Sequence, residues 1–117
     1  MQTFKTDGAQ GELSLRKISK IPKDAKPVTP VNGQLIVGHS ETGHHHVLTA
    51  EHAKVFESTT APAGMRVLYA IVTEPTTLDH LRPFDTHESL GVQPGMYEIR
   101  VGREYDPYEE LARLQAD

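Results

Sequence analysis

Met65-Arg66-Val67-Leu68-Tyr69-Ala70-Ile71-Val72 is the most continuous apolar run in the chain, eight residues held between Ala61-Pro62-Ala63-Gly64 and Thr73-Glu74-Pro75. Its length and its β-branched and aromatic content fit a strand better than a helix, and the lack of polar alternation predicts a central strand buried on both faces. Working outward, Met96-Tyr97-Glu98-Ile99-Arg100-Val101 alternates, with Ile99 and Val101 on one face and Glu98 and Arg100 on the other. That pattern predicts a half-exposed strand entered through the turn Gln93-Pro94-Gly95. Upstream, Asn32-Gly33 is a strong turn dipeptide. It leads into Gln34-Leu35-Ile36-Val37, which faces Val47-Leu48-Thr49 across a histidine-bearing connection, as in a β-hairpin.

Further strands are expected at Leu13 to Ile18 with Leu13 and Leu15 inward, at Val55-Phe56-Glu57, weakly at Thr76 to Leu81, and at His87 to Val92. Near the end, Asp106-Pro107-Tyr108-Glu109 combines an N-cap acid, proline at the first helical position and glutamate at the third, and predicts a helix to about Ala116 with Leu111 and Leu114 as its apolar stripe. The fold class expected is all-β, a small β-barrel or sandwich of six to eight short strands with one C-terminal helix.

A chain of 117 residues supports one core. Residues 1–30 hold six Lys or Arg against three acids and three prolines, with Lys17, Lys20, Lys23 and Lys26 at every third position. They read as a basic, extended N-terminal arm, and 31–117 as a single β domain. The arm is a solvated segment or a docking strip for an acidic partner. Net charge is −4, with residues 31–101 carrying four basic against eight acidic side chains, so nucleic acid is not the expected partner. No stretch approaches a membrane span and Met1 to Asp7 lacks the apolar region of a signal peptide, so a soluble cytoplasmic protein is expected. Without cysteine, disulfides, thiolate metal sites and cysteine nucleophiles are excluded.

All seven histidines lie between positions 39 and 87, five of them from His39 to His52. If His39 and His44 close the hairpin around Ser40-Glu41-Thr42-Gly43, Leu35, Val37, His39, His44, His46 and Leu48 share one face and His45 faces the other way. Opposed imidazoles at such spacing suit one divalent transition ion, zinc first, with iron, manganese or nickel as alternatives. A run of three histidines also fits a solvated hairpin tip that charges below about pH 6.5. Ser40 beside His39 and Ser89 beside His87 lack the context of a nucleophile, and no glycine loop precedes a helix to cradle phosphate.

Gly38, five residues, His44, one residue, His46, four residues and Glu51 resemble the first metal-binding motif of cupins. That resemblance implies a small β-barrel with His44, His46 and Glu51 as ligands. The second cupin motif would set a histidine after Pro94-Gly95, where Met96-Tyr97-Glu98 stands instead. Gly38-His39, Thr42-Gly43-His44-His45-His46, His87-Glu88 and the run from Pro94-Gly95 through Arg103-Glu104-Tyr105 are also similar to a group of short bacterial and phage proteins of no known activity. This second resemblance implies His87 as the distant ligand, with His80 next. The expected function is a metal-binding β domain whose ion is structural or hydrolytic or oxygenase-like, with no catalytic residue assigned. The alternative is a non-catalytic phage or prophage interaction protein, cytoplasmic or virion-associated, whose histidines line an interface with a protein partner or a second copy.

Overall fold

In the computed structural model, which describes residues 2–4, 6–10, 13–38, 45–61, 65–80 and 89–101, all regular structure among the described residues is strand. In chain order the strands are β1 (Gln2–Thr3), β2 (Asp7–Gln10), β3 (Leu13–Ile18), β4 (Lys26–Pro27), β5 (Gln34–Gly38) and β6 (His46–Thr49). They continue with β7 (Ala53–Glu57), β8 (Arg66–Val72), β9 (Thr76–His80), β10 (Leu90–Val92) and β11 (Gly95–Val101). Two sheets form, a six-stranded one in the order β2-β3-β11-β8-β7-β4 and a five-stranded one in the order β1-β10-β9-β6-β5. Pairing is antiparallel throughout except for β1 beside β10.

The run from Arg66 to Val72 is central, as its composition requires. On its inner face Leu68 is fully buried, and on its outer face Val67 and Tyr69 are also covered. Its neighbours β11 and β7 add Tyr97, Ile99, Ala53 and Val55 to the inner face, and β3 adds Leu13 and Leu15. Opposite them stand Leu35, Val37, Leu48, Leu78, Leu90 and Val92 from the five-stranded sheet. Each strand thus turns alternate residues into one shared layer, which makes the molecule a β-sandwich. On the outer face of the six-stranded sheet Glu98 accepts from Arg100 Nε at 2.7 Å and lies 3.5 Å from Arg16 Nη2.

Two expectations are corrected. The architecture is a sandwich and not a barrel, since both sheets end in edge strands that do not close on themselves. Among the described residues eleven strands replace six to eight: β1, β2 and β4 escape notice because Gln2–Thr3 and Lys26–Pro27 are only two residues long and Asp7–Gln10 is polar and glycine-bearing. Residues 1–30 contribute β1 to β4 to the two sheets. β2 and β3 are integral to the six-stranded sheet, Leu13 and Leu15 belong to the common core, and Lys17 and Lys26 lie on different strands separated by a turn in which Ala25 N donates to Pro22 O. The expected helix at 106–116 lies outside the described residues. Among the described residues no helix is long and apolar enough to cross a membrane.

The turn at Asn32-Gly33 has the form its sequence demands. Both residues take positive φ, 51° and 76°, and Val31 and Gln34 exchange two backbone hydrogen bonds of 2.8 and 3.0 Å across it.

Candidate metal centre

Strands β5 and β6 pair in the register that the alternation predicts, Leu35 with Leu48 and Ile36 with Val47, up to a bulge. There the register slips by one and Gly38 stands opposite His46. The described ladder runs to Gly38 and His46; His39 and His44, the expected closing pair, lie outside the described residues, as does His87. A bulge re-aims the chain beside it. Here it sets a residue without a side chain against an imidazole.

His46 is only 1 % exposed and shares the inner face with Leu48. A Cβ on Gly38 would lie 2.9 Å from His46 Cδ2 and 3.2 Å from Leu13 Cδ2, closer than packed carbon atoms tolerate. The ring is therefore seated between the Gly38 backbone and its surroundings in one position. Its Nδ1 is 2.8 Å from Oε1 of Gln10, a buried side chain at the end of β2 in the other sheet. The same amide donates through Nε2 to the carbonyl of Leu78 at 2.9 Å. Gln10 thereby links both sheets through their interior, touching β6 and β9 at once.

That contact coincides with a break in pairing. β6 and β9 share two described register pairs, His46 with His80 and Val47 with Asp79, and the ladder does not extend to Leu78. The Leu78 carbonyl, one residue beyond that ladder, accepts from Gln10 Nε2, while Leu78 itself pairs with Leu90 of β10. In the register, His80 is directly opposite His46. The sequence separation of 34 positions between these two histidines is closed by a single backbone ladder.

Residues 9–102 match the family described as a domain of unknown function, DUF8820. The chain belongs to the DUF8820 family. No curated protein and no solved structure matches it. The matched span of this DUF8820 domain takes in Gln10, Gly38, His46 and His80, and closes just after β11.

The remaining expected residues are distributed differently. Glu51 is exposed in the turn 50–52, which follows the opposite end of β6 from His46. The strand separates these two positions instead of bringing them together. Beside Glu51, His52 Nε2 lies 3.4 Å from Glu74 Oε2 at the surface. Ser89 donates to Asp79 Oδ1 at 2.6 Å, so its hydroxyl contacts the acid directly with no imidazole between them, unlike a nucleophilic triad. Among the described residues no group of three or more His, Asp or Glu converges on one point. Gln10 is the residue beside His46 that sequence reasoning misses in this DUF8820 domain. A lone glutamine after Gly8-Ala9 carries no motif, and only the folding of β2 over the end of β6 gives it a role.

Proposed function

We propose that the protein is a metal-binding β-sandwich holding one divalent transition ion, zinc first. His46 and its register partner His80 are the central ligand pair. His44, His39 and His87, on the segments that continue from β6 and β9 past this pair, complete the shell. The observation that carries this reading is the direct cross-strand pairing of His46 with His80. Imidazole ligands without thiolates suit zinc, and also iron, nickel or copper.

The ion's role is structural. It ties the β5–β6 connection to the β9–β10 connection in a protein without cysteine, at the point where the β6–β9 ladder is only two described pairs long. A ligand that is 1 % exposed also suits a closed site better than one open to substrate. Glu51 takes no part in it.

Metal analysis of untagged protein, with melting curves recorded with and without a chelator, tests the proposal. One zinc per chain is expected. Free metal at about 100 times its dissociation constant adds roughly 2.7 kcal/mol, so chelation lowers the midpoint by about 10 °C. Metal-free protein with superimposable curves contradicts the proposal and favours histidines that line a protein interface.

A further inference from the structure

We propose that Gln10 dictates which nitrogen of His46 faces a ligand: it holds the ring as the Nδ1–H tautomer and leaves Nε2 as the coordinating atom. The ligand role of Nε2 rests on the metal reading above; the tautomer does not. The argument begins at Leu78. Its carbonyl only accepts, and it lies 2.9 Å from one terminus of the Gln10 amide, so that terminus is the NH2 group. The reversed amide would press two acceptor oxygens together in a buried site. The other terminus, 2.8 Å from His46 Nδ1, is therefore the oxygen, which only accepts. Nδ1 must carry the proton, and in a neutral imidazole the lone pair then sits on Nε2.

A ring nitrogen that donates to a carbonyl while its partner coordinates is the arrangement by which proteins orient metal-bound histidines and raise their basicity. Glutamine meets two demands here that its neighbours in chemistry do not. Glutamate would accept from Nδ1 but set a carboxylate oxygen against the Leu78 carbonyl with no proton between them. Leucine would fill the volume and satisfy neither contact. The Gly38 backbone holds the ring from another side, since any Cβ there would strike His46 Cδ2, so Gln10 acts on a ring that has little freedom to turn.

Long-range proton–nitrogen correlation spectra of metal-free, untagged protein labelled with nitrogen-15 in histidine read the tautomer directly. The expected His46 pattern is a protonated Nδ1 and an unprotonated Nε2. In Gln10→Leu that pattern weakens towards a mixture and zinc affinity, titrated with zinc alone, falls about 10- to 100-fold. Gln10→Glu keeps an acceptor for Nδ1 and retains the Nδ1–H pattern even where it costs stability. An Nε2–H signal for His46 in the unmodified protein overturns the inference, whether or not zinc binds. So does a folded Gln10→Leu variant with unchanged tautomer and zinc affinity. Failure of the unmodified protein to bind zinc overturns instead the metal reading and the ligand role of Nε2.

Discussion

The two sheets of the sandwich are built to different standards. In the six-stranded sheet, β11 pairs with β8 over seven positions and with β3 over six, and the inner face runs through Leu13, Leu15, Leu68, Ala70, Val72, Tyr97 and Ile99, with the Arg16–Glu98 and Arg100–Glu98 pairs on the outside. In the five-stranded sheet the β6–β9 ladder has two described pairs, and the inner face that carries Leu48 and Leu78 also carries His46. Long apolar ladders bury surface at about 25 cal/mol per Å² and leave little that can bind anything. A bulge and a buried imidazole set the second sheet apart from the first. One sheet holds the fold and the other holds the candidate site.

Truncating the first sheet should therefore cost most and disturb the site least. Leu68→Ala removes a fully buried side chain and is expected to lower unfolding free energy by about 2–5 kcal/mol, while zinc affinity of the folded protein stays unchanged. Denaturant unfolding beside a zinc titration checks both halves, and a loss of affinity would erase the distinction between the sheets. Gly38→Ala acts on the second sheet. Forcing a Cβ to within 2.9 Å of His46 Cδ2 should cost about 1–3 kcal/mol and, unlike Leu68→Ala, also weaken zinc binding. If it is neutral in both measurements, the ring is not held as described.

The smallest effect belongs to Tyr97, back in the first sheet. Its hydroxyl donates to Gln93 O at 2.6 Å, and Tyr97→Phe should cost about 1 kcal/mol. Burial pushes the Tyr97 phenol above its ordinary value, so the folded state holds that proton more tightly than the unfolded chain. The stability this confers is complete at neutral pH and drains away as pH rises beyond about 10. Unfolding midpoints at about pH 8 and above pH 10 should fall more steeply for the unmodified protein than for Tyr97→Phe. Parallel slopes would mean that the phenol is more exposed than its environment implies.

Much of the first sheet is legible in the sequence, because Arg66–Val72 is a continuous apolar run and Gly95–Val101 alternates from residue to residue. The hairpin is legible in the same way as far as Ile36 and Val47. Its bulge is not, since a one-residue slip leaves no mark on alternation until the partner strand is known. β2 and β4 are invisible for a related reason: Asp7-Gly8-Ala9-Gln10 and Lys26-Pro27 gain their strand character from the edges they join. For the candidate site, His46 and His80 are legible as residue types, and Gln10 is not. A hydrogen bond spanning 36 positions depends on how two sheets stack, which no local window records.

X-ray absorption at the zinc edge of untagged, zinc-loaded protein bears most directly on the claim that His46 and His80 hold an ion in the five-stranded sheet. The account predicts nitrogen ligands at about 2.0–2.1 Å with the outer-shell scattering of imidazole, and one imidazole fewer in His80→Ala. A shell of oxygen atoms alone, or an imidazole count that His80→Ala leaves unchanged, would contradict it.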